Sequence, residues 1–417
     1  MNKTVKILAI ASFFVILLVG CSKKSTKANN NNDSAVQKLE TKKDSSAEKK
    51  NAQNKLFDIP ESPASDFSYE LSDDNSGVKI TAYKGGANCR IPSEIEGMPV
   101  TEIASNTFFN TKFGKSLVVL VMPDTIKKVG KNCFGFCSSL SAVKLSSSLS
   151  VIEEEMFQDC DSLEEIVIPA SVTTIKEKAF SSSGLKSIYI PDTVIEIEGG
   201  PGGAFSDCKN LSKVRLPSTL KILPEGTFGS CHSLESIELP NGITEIGGNA
   251  FAGCRSLSSI ILPESITKIR YGAFQNCESL TSLTIPNSVT SIENGVFNNT
   301  GLITLEIPNS VTKLGCGFGK CKSLEKLHLP DSLKVIPNDM FPNSLQSVNI
   351  PASTKEIESR AFKHLENLTE LIIPDSLTKI EFEISQGAMH NFEGTNLNLA
   401  SQKRLKDLGY NGKFTSN

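Results

Sequence analysis

A sequence unit of 21 to 26 residues recurs through most of this chain, and this repetition restricts what it can fold into. Residues 257–279 read LSSIILPESITKIRYGAFQNCES, and residues 234–256 carry apolar letters at the same places. A period in this range predicts a solenoid, a propeller or another stacked array. Twelve units begin at Leu117, Leu140, Leu163, Leu185, Leu211, Leu234, Leu257, Leu280, Leu302, Leu324, Leu345 and Leu368.

Each unit follows the pattern L-x-x-I-x-I-P-x-S-V-x-x-I-x-x-x-A-F-x-x-C. In the unit that starts at Leu257, the alternating residues Ile260 and Leu262 predict a short strand with one apolar side. Pro263 lacks a backbone N–H and ends that strand at a turn. The return segment through Phe274 is too irregular for a long helix.

One unit buries too little apolar surface to fold alone, so successive units must stack and share a core. Half of the 22 Phe residues occupy one register of the repeat, and the chain has no Trp. This pattern predicts that the aromatic residues are core rather than ligand-binding. The Phe column contains Phe134, Phe157, Phe180, Phe205, Phe228, Phe251, Phe274, Phe297, Phe318, Phe341 and Phe362.

The repeat pattern resembles the BspA-type leucine-rich repeats of bacterial surface proteins. The resemblance covers roughly residues 89–390. It implies a repeat solenoid, a right-handed leucine-rich-repeat-type coil with a parallel β-sheet on its concave face. It also implies surface display and adhesion to host matrix or plasma proteins, or to other cells. This family has no common catalytic set, and none is carried over to this sequence.

Residues 1–21 have the composition of an export signal. Lys3 and Lys6 precede an apolar run of about 14 residues, which is short for a membrane span. The run ends in Leu18, Val19, Gly20 and Cys21, which resembles a bacterial lipobox and implies cleavage before Cys21 and acylation of its thiol and new amino terminus. An ordinary signal peptide with a chance Cys remains the alternative. Attached acyl chains anchor a protein to a bilayer.

The remaining boundaries follow from composition and pattern. Residues 22–66 are rich in Lys, Ser and Asn, which predicts a disordered tether. Residues 67–116 contain two segments of alternating apolar and polar residues on either side of a turn at 72–77. An irregular first repeat with an inserted turn at 96–98 follows them. We expect a β-hairpin cap there, the repeats over 117–390, and a carboxy-terminal cap and tail over 391–417. Its short helix contains Leu397, Ala400, Leu405 and Leu408 and stops at Gly409.

Seven cysteines lie three residues after a Phe, which makes them a repeat column rather than a disulfide framework. We predict free thiols at Cys137, Cys160, Cys208, Cys231, Cys254, Cys277 and Cys321. The redox state of Cys89, Cys133 and Cys316 is open, and Cys316 with Cys321 is the most plausible local pair. Four scattered histidines show no metal-ligand spacing, so no metal or other cofactor is predicted.

A binding surface should lie on the third and fifth residues of each unit, which point away from the core. There Tyr189 stands beside Lys213 and Arg215, and Glu238 follows one unit later. Tyr and Arg are common at interface hot spots, so these four residues are the predicted partner-binding site. The glycine-rich stretch 199–203 lacks the residues that follow a phosphate-binding loop, and we interpret it as a bulged turn.

These observations predict a lipid-anchored protein of the outer membrane or cell surface that binds a protein or glycan on a host or neighbouring cell. A net charge of −3 and a pI near 6.0 give no basic surface for nucleic acid. Two alternatives stay open. One is an envelope scaffold that faces the periplasm and has no host ligand. The other is an enzyme, although no nucleophile, base and acid can be placed together from position.

Overall fold

The computed structural model describes residues 55–358, 361–362, 365, 367–377, 379–380 and 397–409. The chain divides into two units, Met1–Lys55 and Leu56–Asn417. The predicted export signal with Cys21, the tether up to residue 54 and the tail 410–417 lie outside the described residues. The second unit contains all of the described strands.

These strands are short and number 27. The amino-terminal cap contains β1 (Phe67–Leu71), β2 (Val78–Tyr83), β3 (Asn88–Arg90), β4 (Glu94–Ile95) and β5 (Met98–Ile103), followed by helix α1 (Lys112–Ser116). The repeats contain β6 (Val119–Val121), β7 (Lys128–Val129), β8 (Ala142–Lys144), β9 (Val151–Ile152), β10 (Thr174–Ile175), β11 (Ser187–Tyr189), β12 (Glu196–Ile197), β13 (Lys213–Arg215), β14 (Ile222–Leu223), β15 (Ser236–Ile237), β16 (Glu245–Ile246), β17 (Ser259–Ile260), β18 (Lys268–Ile269), β19 (Ser291–Ile292), β20 (Thr304–Glu306), β21 (Lys313–Leu314), β22 (Lys326–His328), β23 (Val335–Ile336), β24 (Ser347–Asn349), β25 (Glu356–Ile357), β26 (Glu370–Ile372) and β27 (Lys379–Ile380). Helix α2 (Leu399–Asp407) closes the described chain.

The strands stack into two columns of parallel pairs, which confirms the predicted solenoid. The first column pairs β3 with β6 and β8, β11 with β13, β15 with β17, β20 with β22, and β24 with β26. A second column was not predicted from the sequence. It pairs β9 with β10 and β12, then β14 through β16, β18 and β19 to β21, then β23 with β25 and β27. Each of its strands is two residues long, too short for an alternating pattern to be visible.

A third side of each coil is a turn that contains the Phe. The Phe251 N–H donates to the Ala273 carbonyl at 2.9 Å, and Phe274 repeats this contact with Val296 at 3.0 Å. Tight turning requires left-handed backbone, as at Gly253, where φ is +76°. The buried Phe rings stack with their centroids 5.3 to 6.3 Å apart from Phe134 to Phe318. Coils therefore join along three sides.

The predicted cysteine column is buried, and its thiols have a specific hydrogen-bonding role. Cys254 Sγ donates to the Phe228 carbonyl of the preceding coil at 3.1 Å, and Cys277 does the same to Phe251 at 3.2 Å. Burial raises the pKa of Cys254 to about 12. All ten described cysteines are free thiols. The suggested pairing of Cys316 with Cys321 is wrong, since Cys316 lies half-buried against Asn294 Oδ1 at 3.6 Å.

Both ends of the solenoid are capped as the sequence predicted. The hairpin of β1 and β2 is antiparallel, and β4 with β5 forms the inserted turn. At the other end, Asn398 caps α2, and Leu397 and Leu405 pack into the core. Ala400 is exposed, so its predicted place on the buried side of the helix is wrong. Ser401 occupies that side, and its hydroxyl donates to the Leu371 carbonyl of β26 at 2.8 Å.

The folded part begins earlier than the sequence indicated. The predicted tether ended at residue 66, but Phe57 and Ile59 pack on the outward side of the first column. We call residues 57–62 the strap. Arg90 of β3 holds it through its guanidinium, and its Nε donates to the Ile59 carbonyl at 2.6 Å. Two apolar residues separated by one Asp were not distinguishable from tether by composition.

Candidate interaction surface

The outward side of the first column is the surface on which the sequence placed partner binding. Residues in register on neighbouring coils form rows along the array, because the strands pair in parallel: Ser187 with Lys213, and Tyr189 with Arg215. Tyr189 is 59% exposed. A side chain this exposed contributes little to the core and is available for contact.

Tyr189 and Arg215 are in direct contact. The Arg215 guanidinium carbon lies 4.7 Å from the centroid of the Tyr189 ring, which is a cation–π arrangement. Arg215 Nη1 also donates to the Ile190 carbonyl at 2.9 Å, and Nη2 lies 2.7 Å from Asp192 Oδ2. Arg215 thus lies on the outward side of the strand, where its charge is paired with Asp192. Its contacts hold the Tyr189 ring in one orientation.

Asp192 completes this cluster and was not predicted from the sequence. Its Oδ1 accepts hydrogen bonds from the backbone N–H of Ser218 at 2.6 Å and from the Ser218 hydroxyl at 3.0 Å. Arg215, together with these donors, lowers the pKa of Asp192 to about 2. The sequence contained a signal for Asp192, because Asp124 occupies the same position after the Pro of an earlier unit. In the structure Asp124 also accepts a hydrogen bond there, from the Ser147 N–H at 2.9 Å.

Lys213 and Glu238 are both exposed. Lys213 stands in the row of Ser187, two residues before Arg215 on the same strand. Glu238 directly follows β15, one coil further along. Among the residues the structure describes, neither side chain forms an ion pair. The structure thus brings Tyr189 and Arg215 together, and places Lys213 and Glu238 near them as free charges.

A groove of about 1190 Å³ lies on the second column rather than on this surface. Lys268, Lys313 and Lys334 line it, and the half-buried Leu314 and Leu333 are also in its wall. The groove is present where β21 and β23 fail to pair, so its origin is a local irregularity in the stacking. Its position does not coincide with the predicted site.

The ranges that the structure describes contain neither a metal-ligand cluster nor a helix that could span a membrane. In that part of the chain, no three His, Cys, Asp or Glu side chains are placed to hold a metal ion. No described helix has the length and apolar character needed to cross a membrane. The stretch 199–203 is a bulge, after which Ala204 resumes the turn by accepting from the Phe180 N–H at 2.8 Å.

Solved structures with the same architecture come from several bacteria. A leucine-rich repeat protein from Bacteroides ovatus ATCC 8483 is 24% identical, with a TM-score of 0.70, and the match covers 86% of this chain and 99% of that one. A leucine rich cell surface protein from Faecalibacterium prausnitzii A2-165 is 27% identical, with a TM-score of 0.54, over 82% of this chain and 94% of that one. No curated protein matches the chain.

The repeats themselves match a described family over most of the chain. Residues 87–200, 201–318 and 315–384 each match the BspA type leucine rich repeat region, whose description specifies six copies. These ranges include both strand columns, the Phe column and the cysteine column. The chain therefore belongs to the BspA-type leucine-rich repeat family.

Proposed function

We propose that this protein is a lipid-anchored surface protein that binds a macromolecule on the outward side of its first column, with Tyr189 and Arg215 at the centre of the contact. The observation that carries this proposal is the exposed Tyr189 ring, fixed in place by Arg215 and Asp192. A pre-oriented aromatic ring loses little conformational entropy on binding. The free charges of Lys213 and Glu238 would orient a charged partner.

The partner class is a protein or glycan on a host or neighbouring cell. The row of outward positions extends along a parallel stack whose neighbouring strands lie about 4.8 Å apart, which suits an extended partner better than a small metabolite. Family membership supports surface exposure, and the similar protein from Faecalibacterium prausnitzii is described as a cell surface protein. The anchor would be Cys21, by the lipobox interpretation of residues 18–21.

The binding proposal is tested by capturing host matrix proteins and whole bacterial cells with the purified protein. We expect Tyr189→Ala to weaken capture by about 2 kcal/mol, or roughly thirtyfold, as at an interface hot spot. Ser282→Ala, at an exposed third position in a distant coil, is the matched control. Capture that is unaffected by Tyr189→Ala would remove this surface from consideration.

The anchoring proposal is tested separately, with intact cells. We expect wild-type protein, but not Cys21→Ala, to incorporate a labelled fatty acid, and protease added outside the cells to degrade the wild type. Resistance to that protease with normal labelling would support the periplasm-facing scaffold instead. Absence of label from the wild type would contradict the lipoprotein interpretation.

A further inference from the structure

The strap shows what the outward side of the first column can hold. Phe57 and Ile59 alternate with the exposed Asp58, and both apolar side chains pack against Val119, Val121 and Ala142. The backbone of the strap is held as well. Arg90 donates from its guanidinium to the carbonyls of both Phe57 and Ile59. The Ser62 N–H donates to the Arg90 carbonyl at 2.9 Å.

The strap is therefore a peptide segment of the chain itself that is bound on the outward side of the first column. Its recognition has two parts: alternate apolar side chains pack on outward apolar positions, and one cation donates hydrogen bonds to the backbone carbonyls of those same apolar residues. Neither part depends on the strap being covalently attached. Any extended segment with the same alternation offers the same groups.

The row that the strap covers continues beyond it without cover. Along the fifth position of successive units the residues are Arg90, Val121, Lys144, Val167, Tyr189 and Arg215. Val121 lies under the strap and is 1% exposed, whereas Val167, the same residue type two coils later, is 69% exposed. In this row a cation precedes apolar residues at two places. Arg90 precedes Val121, and Lys144 precedes Val167 and Tyr189.

We propose that the partner of this protein contributes an extended polypeptide segment with alternating apolar side chains, which lies on Val167 and Tyr189 as the strap lies on Val121. The inference rests on the proposed function and selects a peptide over a glycan. Lys144 is exposed beside Val167 and takes the part of Arg90 by donating to a carbonyl of the segment. Arg215 is already bound to Ile190 and Asp192, so its part is to orient Tyr189.

The uncovered site binds more weakly than the strap site. Under the strap, the third positions Val119 and Ala142 add a second apolar row beside Val121. In the next two coils those positions are Glu165 and Ser187, so the uncovered apolar row is a single residue wide. A segment bound there buries less apolar area, so its binding free energy is less favourable.

The test uses a labelled peptide of the strap sequence, KLFDIPES, and a control peptide, KLSDSPES, with the full chain in detergent. We expect the first peptide to bind saturably by fluorescence anisotropy and the second at least tenfold more weakly. Val167→Asp and Tyr189→Ala should each weaken the first peptide about tenfold or more. Ile261→Asp is the matched control, since Ile261 is an exposed fifth position between Glu238 and Thr284 and should not affect binding.

Three results would overturn the inference. Equal binding of both peptides would show that apolar alternation is not recognised. Binding unaffected by Val167→Asp would show that the peptide merely displaces the strap. Failure of both peptides to bind, while Tyr189→Ala still weakens capture of partner proteins or cells, would exclude a peptide segment and leave the proposed function intact. Loss of the Tyr189 effect on capture is a separate result, and it contradicts the proposed function instead.

Discussion

The coils at residues 234–301 and the coil at residues 302–323 have nearly the same apolar letters but stack differently. In the first region, the strand pairs of the second column and the hydrogen bonds between the Phe turns continue from coil to coil. In the second, β21 does not pair with β23, and among the described rings Phe318 does not contact Phe341. The first column is unaffected, since β20 and β22 pair in register over three residues.

One missing residue accounts for the difference. From the second-column Ile292 to Phe297 there are five positions, whereas from Leu314 to Phe318 there are four. In the neighbouring coils the residue before the Phe, Ala273 or Val296, accepts the hydrogen bond from the previous Phe N–H, and among the described residues the Phe297 N–H has no such bond to the shortened turn. We call residues 314–318 the step. The comparison indicates that stacking depends on residue count as much as on apolar identity.

The largest expected effect of this difference concerns the Phe rings. Phe251 contacts rings on both sides, at 5.9 and 5.7 Å, whereas Phe341 contacts Phe362 alone among the described rings. We expect Phe251→Ala to reduce the free energy of unfolding of its coils by about 3–5 kcal/mol. Phe341→Ala should cost about 0.5–1.5 kcal/mol less, because one ring pair is absent.

Hydrogen exchange of the two variants measures these costs coil by coil, which suits an array that opens locally. The expected result is loss of protection centred on residues 228–297 for Phe251→Ala. An equal or larger loss for Phe341→Ala would contradict the view that stacking is weaker at the step.

The second effect concerns the cysteine column. Cys254→Ala removes a buried S–H donor to the Phe228 carbonyl, which keeps only its bond from the Cys231 N–H. We expect a cost of about 1–2 kcal/mol in urea unfolding. Cys316→Ala at the step is the control, because Cys316 is half-buried and outside the column, and it should change stability by less than about 0.5 kcal/mol. Equal costs would show that the column position does not matter.

Features of the fold that correspond to a visible sequence pattern could be predicted, and features that depend on contacts between coils could not. The first column and the Phe column were predictable because the same apolar residue recurs in each unit. The caps were predictable from an alternating pattern around the turn at 72–77 and from a helical pattern that stops at Gly409. The second column was not, since two-residue strands such as Glu245–Ile246 show no alternation. In the candidate site, the sequence placed Tyr189 beside Arg215, which are in contact, but it did not point to Asp192 or the strap. Those contacts join residues from different coils and depend on a register that only the folded chain defines.

The third prediction concerns an insertion that restores the regular number of residues at the step. Inserting one Ala between Gly317 and Phe318 restores the regular spacing and supplies a backbone carbonyl for the previous Phe N–H. Ordering one residue costs about 1–2 kcal/mol, and one hydrogen bond with a buried methyl group returns a similar amount, so net stability should change by about 1 kcal/mol or less. The measurable gain is slower hydrogen exchange over residues 313–341.

The same insertion before Phe297 is the control for the repair. It lengthens a turn that already has five positions, and it should accelerate exchange in the coils on both sides. If the insertion before Phe318 also accelerates exchange, residue count is not the cause of the step.

The smallest expected effect concerns acid. Arg215 and Ser218 stabilise the charged form of Asp192 and lower its pKa from an ordinary 3.8 to about 2. A depressed pKa in the folded state contributes stability that is fully present above pH 4 and is lost as the pH falls towards 2. Because this carboxylate is exposed, we expect Asp192→Asn to lower the melting temperature only slightly at pH 5. The difference from the parent should disappear near pH 2.

Asp331 is the control for this last effect, because it occupies the same position of the repeat beside the step. Its partner is the neutral Asn309 amide, whose Nδ2 donates to Asp331 Oδ2 at 3.0 Å. Asp331→Asn removes no arginine pair, so its melting temperature should follow the parent from pH 5 to pH 2. A difference for Asp192→Asn that persists at pH 2 would mean that shape, rather than the charge pair with Arg215, holds the turn. The Tyr189 ring would then be oriented by stacking on Arg215 without help from Asp192.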